Sequence, residues 1–126
     1  MSRSASAADT AIAGRYGDAL VALRHALASG ADPVPLVAAI ASKLRAMARV
    51  AGTRESSSAL AARLGMKDWQ VDRARRDLTG WNETSLGMAI QAAARADAEV
   101  KGASRDPVFA VERLVTVIAT RAPFGA

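Results

Sequence analysis

The sequence predicts an all-α fold, a single compact helical domain of about seven helices. Alanine supplies 31 of the 126 residues, and alanine has the highest helix propensity and fits strands poorly. Apolar residues recur three and four positions apart almost throughout, which is the spacing of one helix face. No segment alternates apolar and polar residues as a strand would, and a chain of this length fits one domain.

Glycine and proline divide the periodic segments and set the expected helix boundaries. Asp18, Asp68 and Asp106 are expected to cap helix starts, and either Asn82 or Thr84 caps another. Residues 1–6 are predicted to be a flexible leader, 7–121 the helical domain and 122–126 a C-terminal tail. The predicted helices cover residues 7–13, 19–29, 35–51, 58–64, 69–79, a sixth segment that runs from the cap at Asn82 or Thr84 to 101, and 107–121.

Three of these helices have clear apolar stripes that should face the core. The third helix carries Leu36, Ile40, Leu44, Met47 and Ala51. The long sixth helix carries Leu86, Ile90, Ala93, Asp97 and Val100, and the last helix carries Val108, Val111, Val115 and Ile118.

Composition excludes most enzyme classes. The chain has no cysteine and one histidine, His25, so it can hold neither a disulfide, nor a Cys-ligated metal, nor a multi-histidine zinc site. The phosphate-binding GxxxxGK[ST] and the hydrolase GxSxG motifs are also absent. We therefore predict no enzyme activity and no catalytic, cofactor-binding or metal site.

The expected compartment is the cytoplasm. No apolar run approaches the roughly 20 residues needed to span a bilayer, and the first residues lack the apolar core of a signal peptide. The net charge is +5, carried mainly by 14 arginines. This charge permits contact with nucleic acid without requiring it.

Residues 57–76 have the pattern of a helix-turn-helix, which indicates DNA binding as an alternative function. Gly65 lies at the expected turn, Ala61 four residues before it and Val71 six after it. A DNA reader of this type would use helix 69–79, with Lys67, Arg73, Arg75 and Arg76 near the DNA. Asp68 and Asp72 on the same face would repel phosphate, and Trp69 is an unusual residue for a groove-facing helix.

A more specific combination is spread along the whole chain. Trp81 follows Gly80, the motif D-x-x-x-K-G spans 97–102, and the last helix carries Ala-Val-Glu-Arg-Leu-Val at 110–115. Ala-Asp-Thr-Ala at 8–11 and Leu-Ala-Ala-Arg-Leu-Gly at 60–65 precede them. In this order and spacing, residues 7–121 resemble the C-terminal domain of the delta subunit of bacterial DNA polymerase III, which is part of the clamp loader.

The resemblance implies a helical collar domain that holds the subunits of a clamp loader together in DNA replication. Its implied partners are the tau/gamma and delta prime subunits, while the sliding clamp would be reached only through an N-terminal region absent from this sequence. Contact with DNA would be weak or indirect, and no membrane or cofactor is implied. Binding assays distinguish the two hypotheses. A helix-turn-helix domain would bind duplex DNA, whereas an assembly domain would bind other clamp-loader subunits.

Several residues are candidates for the implied interface because aromatic and arginine side chains are enriched at interface centres. These are Trp69, Arg73, Arg76, Trp81, Glu112 and Arg113. Asp97 is the one charged residue of the stripe on the sixth helix, and Lys101 lies one turn further on. We predict that Asp97 and Lys101 form a structural polar pair, and that Asp97→Ala lowers stability by more than about 1 kcal/mol, the scale for breaking a partly buried polar contact.

Overall fold

In the computed structural model, which describes residues 3–103 and 106–122, the chain forms seven α-helices and no strand in that part. This confirms the all-α prediction. The helices are α1 (Arg3–Ile12), α2 (Tyr16–Ala28), α3 (Pro33–Val50), α4 (Ser57–Leu64), α5 (Asp68–Asp77), α6 (Glu83–Ala98) and α7 (Pro107–Thr120). A π-helical turn, Glu99–Ala103, follows α6.

The central element is α3, which packs against α1, α5, α6 and α7. It does so because its buried residues recur every three or four positions and so form one continuous apolar side. The other strong pairings are α1 with α2, α2 with α7 and α6 with α7. The helices α1, α2, α3, α6 and α7 enclose the larger buried cluster, whose largest fully buried members are Ile12, Leu23, Leu36, Ile40, Leu44, Met47 and Ile118.

The hairpin formed by α4 and α5 has a smaller core of its own. Gly65 takes the left-handed conformation, with φ 68°, and so ends α4 and reverses the chain. The buried residues of this second cluster are Val50, Leu60, Ala61, Val71 and Ala74. Leu78 is half-buried and packs against both clusters. The apolar positions predicted for a helix-turn-helix therefore meet in the structure.

Helix starts agree with the predictions at two caps and differ at two. The side chains of Asn82 and Asp106 accept from backbone N–H groups at the starts of α6 and α7, as predicted. Asp18 is inside the first turn of α2, and Asp68 is the first residue of α5 rather than its cap. Carboxylates are also favourable inside a first turn because of the helix dipole, so composition alone does not separate the two positions.

Other boundaries shift by a few residues. The helix α1 begins at Arg3, inside the predicted leader, and α3 begins at Pro33 because Asp32 accepts from the backbone N–H of Val34. The helix α6 ends at Ala98, before the predicted end at 101, since the π-helical turn contains Gly102 at φ 127°. The part of the predicted leader at residues 1–2 and the tail residues 123–126 lie outside the described residues.

Two residues of the stripes predicted for α3 and α7 are not in the core. Ala51 is exposed, and Val50 is buried in the second cluster instead, because α3 ends there and the chain turns toward α4. Val108 is also exposed, in the first turn of α7, beside the exposed Phe109. The remaining residues of the α3 and α7 stripes are buried.

Candidate functional site

The described residues contain no group of three or more His, Asp or Glu side chains placed to hold a metal ion. In the same part of the chain, no helix combines the length and the apolar character that a membrane crossing requires. The side chains predicted from sequence for an interface are found on three separate elements.

The residues Trp69, Arg73 and Arg76 lie on α5 at spacings of four and three, so they share one side of that helix. Glu112 and Arg113 lie on α7, and Trp81 lies in the turn before α6. The helix α5 packs on α3 and α4, whereas α7 packs on α1, α2, α3 and α6. The predicted interface residues therefore do not form one continuous patch.

The two tryptophans have opposite environments. The side chain of Trp69 is 59% exposed. The indole Nε1 of Trp81 donates to the carbonyl of Ile12 at 3.0 Å, and the Arg121 guanidinium lies 3.9 Å from the centroid of its ring. Trp81 therefore stabilises the fold through contacts within the domain, whereas most of Trp69 is exposed to solvent.

Arg121, which the sequence did not single out, joins three parts of the fold. Its guanidinium donates to the carbonyls of Ile12 and Ile118, at the C-terminal ends of α1 and α7, while it stacks on Trp81. Burial lowers the pKa of Arg121. A cation in the last turn of a helix is the signal that could have identified it.

On α7, Arg113 forms an ion pair with Glu99 of the π-helical turn, and its guanidinium lies 5.7 Å from the centroid of the Phe109 ring. Both members of the ion pair are mostly buried. This contact ties α7 to the end of α6. Glu112, the neighbouring candidate, is half-buried.

A charged network connects α5 to α1 and α3. Asp9 of α1 accepts from Lys43 of α3 and from Arg73 of α5, each at 2.8 Å. Lys43 also lies 3.1 Å from Asp77 at the end of α5. Much of the positive charge of Arg73 and Lys43 is therefore balanced within the fold.

Arg75, a predicted DNA contact, points away from the exposed side of α5. It donates to the Glu55 carbonyl at 2.7 Å, to Thr53 Oγ1 at 3.1 Å and to Ser57 Oγ at 3.3 Å. It therefore fastens the segment before α4 to α5. The other predicted DNA contacts, Lys67 and Arg76, are exposed.

A surface ion pair holds the same segment to α4. Arg63 lies 2.6 Å from Glu55, and this hydrogen bond lowers the pKa of the Glu55 carboxyl and raises the pKa of the Arg63 guanidinium. Because the folded pKa of Glu55 is lowered, its stabilising effect is present above the ordinary pKa of glutamate. That effect is lost as the pH falls through the lowered value.

Asp97 and Lys101 form the contact expected from their spacing, with Lys101 Nζ 2.9 Å from Asp97 Oδ2. The side chains are 37% and 58% exposed, so the pair lies at the surface rather than in the core. The sequence-based placement of Asp97 in a buried stripe was wrong, because the stripe of α6 reaches the edge of its contact with α3 at this turn.

This exposure changes the expected effect of removing the pair. We expect Asp97→Ala to lower the free energy of unfolding by less than about 1 kcal/mol, the usual limit for an exposed ion pair. Thermal unfolding of Asp97→Ala beside Lys101→Ala measures it, and both variants should lose about the same amount. A loss well above this limit in Asp97→Ala alone would mean that the carboxylate has another essential partner.

Depressions flank α3 on more than one side, and two of them are candidate binding surfaces. The first, which we call the α3–α5 groove, has a volume of about 410 Å³ and is lined by Arg45, Arg49, Met66, Trp69 and Arg73, among others. The second, which we call the α3–α6 cleft, has a volume of about 640 Å³. Its lining is mostly apolar or small, including Ala48, Leu78, Trp81, Gly87 and Ile90.

Comparisons with known proteins agree with this fold. Residues 8–118 match the family model described as DNA polymerase III delta subunit, C-terminal domain. A solved structure of the Bacillus subtilis DNA clamp loader delta protein (YqeN) superimposes with a TM-score of 0.81 at 17% sequence identity. That match covers 93% of this chain and 35% of the Bacillus chain. A search of curated protein sequences finds no match. The chain belongs to the family formed by the C-terminal domains of DNA polymerase III delta subunits.

Proposed function

We propose that this chain is a non-catalytic assembly domain of a clamp loader, which packs against tau/gamma and delta prime subunits as a collar. The family supports a clamp-loader role. The observation that carries the proposal is the α3–α6 cleft. Of the described residues that line it, Glu83 alone is charged, and Trp81, Leu78 and Ile90 offer apolar surface to a neighbour.

The cleft is suited to a helix from another subunit. Its walls include Ala48, Ala51 and Gly87, whose small side chains let another backbone approach closely, beside the larger apolar groups. Desolvated apolar surface at the centre of a contact is where binding energy concentrates. Trp81 is the predicted interface residue that lines this cleft, and the contacts proposed for Glu112 and Arg113 would lie on α7. Contact with the sliding clamp belongs, in this proposal, to other parts of a delta subunit.

The alternative function, sequence-specific duplex reading by helix 69–79, has less support. Arg75 is engaged by the segment before α4, and Ser57 donates to Asp72, which keeps a carboxylate on the supposed DNA-facing helix. Arg73 is paired with Asp9. We therefore expect any contact with duplex DNA to be weak.

Binding to a tau/gamma subunit from the same organism tests the assembly role. The chain and the subunit are mixed and analysed by size exclusion with light scattering. We expect a complex with the wild type and none with Ala48→Arg, because the added side chain fills the cleft. Ala62→Arg is the matched control, since Ala48 and Ala62 are both exposed and both third from the end of their helices.

The possible outcomes test the location of the interface and the assembly role separately. If Ala48→Arg binds as well as Ala62→Arg, the α3–α6 cleft is not the interface. If the wild type forms no complex with either tau/gamma or delta prime, the assembly role itself is refuted.

A further inference from the structure

The α3–α6 cleft continues along the same two helices into a neighbouring depression. This depression has a volume of about 430 Å³ and is lined by Ala38, Ala41 and Arg45 of α3 and by Ile90, Ala94 and Lys101, among others. Ile90 lines both the cleft and the depression. We call the two together the extended cleft.

The extended cleft follows one surface of an antiparallel helix pair. At one end it is lined by the last turns of α3, with Ala48 and Ala51, and by the start of α6, with Glu83 and Gly87. At the other end it is lined by an earlier part of α3 and a later part of α6. Its two parts are therefore one continuous surface.

The middle of the extended cleft is apolar. Ile90 is half-buried there, with Leu86 on one side of it and Leu44 on the other. Asp97 and Lys101, which also line it, form an ion pair with each other and add no net charge. Apolar surface at the centre of a contact supplies binding energy, whereas charges at its rim determine orientation and specificity.

A charge of opposite sign lies at each end of this apolar middle. Glu83 lies in the first turn of α6, and Arg45 lies at the other end. Both are exposed, and neither forms an ion pair in the part of the chain that the structure describes. Ala94, which lines the same end as Arg45, is eleven residues from Glu83 on α6. The two ends are therefore about 16 Å apart along the helix.

This arrangement indicates a partner with matching chemistry. We propose that the extended cleft binds one amphipathic helix of a tau/gamma subunit in a single orientation, a proposal that rests on the assembly role proposed above. The bound helix has a basic side chain opposite Glu83, an acidic side chain opposite Arg45 and apolar side chains against Ile90. A length of about 16 Å corresponds to about three helical turns.

The two end charges exclude the reversed orientation of the same helix. If the helix were turned end for end, its basic side chain would meet Arg45 and its acidic side chain would meet Glu83. Like charges placed opposite each other weaken a contact and so select one arrangement over another. The charges at the ends of the extended cleft therefore determine how the partner is placed, while the apolar middle holds it.

The test is a titration of the labelled chain with a tau/gamma subunit from the same organism, read by fluorescence anisotropy. Arg45→Glu and Glu83→Arg should each weaken binding by roughly tenfold, because each replaces an attraction at the rim by a repulsion. The common direction is the diagnostic result. If only the net charge of the partner mattered, one of these variants would bind more weakly and the other more tightly.

Matched variants carry the same charge changes elsewhere on the surface. Arg24→Glu on α2 is the control for Arg45→Glu, and Asp68→Arg is the control for Glu83→Arg, since both carboxylates are exposed in the first turn of a helix. Arg49→Glu alters the α3–α5 groove, which Arg45 also lines. These three variants should change the affinity by no more than about twofold, because charges away from a contact are screened by salt.

Thermal unfolding of each variant shows whether a loss of binding is a loss of fold. Glu83→Arg and Asp68→Arg place the same cation at a helix start, where it is unfavourable, and should lower the midpoint by similar amounts. A weaker affinity in Glu83→Arg than in Asp68→Arg, at equal fractions of folded protein, is then an effect on the contact.

Four results would overturn the proposal. An unchanged affinity in both Arg45→Glu and Glu83→Arg would overturn it and leave the assembly role standing, as would changes of opposite sign. A wild-type chain that is dimeric by itself in light scattering, and monomeric in both variants, would mean that a second copy of the chain fills the extended cleft. No complex between the wild type and tau/gamma would overturn this proposal together with the contact on which it rests.

Discussion

Arg121→Ala is expected to lower the free energy of unfolding by about 3 kcal/mol, although Arg121 lies only two residues before Pro123 near the C-terminus. The single guanidinium group of Arg121 stabilises the ends of two helices, because it donates hydrogen bonds to carbonyls at the C-terminal ends of α1 and α7. Hydrogen bonds from a charged donor contribute about 1.5–3 kcal/mol each, and the stack on Trp81 adds to them.

The backbone conformation of Arg121 makes Arg121→Gly a useful second variant, because it separates the effect of the side chain from the effect of backbone strain. Its φ is 55°, a left-handed conformation that glycine adopts readily and other residues adopt at a cost. Arg121→Gly removes the same contacts as Arg121→Ala and also relieves this cost. We therefore expect stability to fall in the order wild type, Arg121→Gly, Arg121→Ala.

Thermal and denaturant unfolding measure these differences, with Arg76→Ala as the control. Arg76 is exposed on α5 and should change stability by less than about 0.5 kcal/mol. Arg121→Lys keeps the charge without the planar fork and should recover only part of the loss. If Arg121→Ala unfolds like Arg76→Ala, the contacts of Arg121 contribute nothing measurable.

The helices could be predicted from sequence because their signals are local. Apolar residues at helical spacing and glycine or proline at the ends identify all seven, and the caps Asn82 and Asp106 lie where their residue types indicate. The ends of helices were harder to predict, because a carboxylate such as Asp18 or Asp68 is favourable both as a cap and inside the first turn.

The surfaces could not be predicted to the same extent, since they depend on contacts between distant residues. Asp9 and Arg73 are 64 residues apart, and Trp81 and Ile12 are 69 residues apart. Sequence identified both tryptophans as candidates but could not tell the exposed Trp69 from the engaged Trp81. Nothing in the sequence indicated that Trp69 lies opposite Arg45 and Arg49.

Leu60→Ala is expected to loosen the α4–α5 hairpin selectively. Leu60 is fully buried and is the largest residue of the second cluster, which has only five buried members in the described chain. Truncating a buried leucine to alanine costs about 2–5 kcal/mol. A small cluster with few partners opens locally at a lower free energy than the rest of a domain.

Native-state hydrogen exchange measures this opening. With a loss of about 3 kcal/mol, amides of α4 and α5 should lose roughly a hundredfold in protection, at about 1.4 kcal/mol per tenfold. Leu23→Ala is the matched control, because Leu23 is equally buried but belongs to the larger cluster. That variant should lower the protection of α1, α2 and α7 and leave the local opening of α4 and α5 unchanged.

The α4–α5 hairpin also forms one wall of the α3–α5 groove. The hairpin contributes Trp69 and Met66 to the α3–α5 groove, while Arg45 and Arg49 belong to α3. Local opening of the hairpin in Leu60→Ala should therefore move this wall of the groove relative to α3, whereas Leu23→Ala should leave the two walls together. If both variants lower protection equally in all helices, the hairpin is not a separate unit.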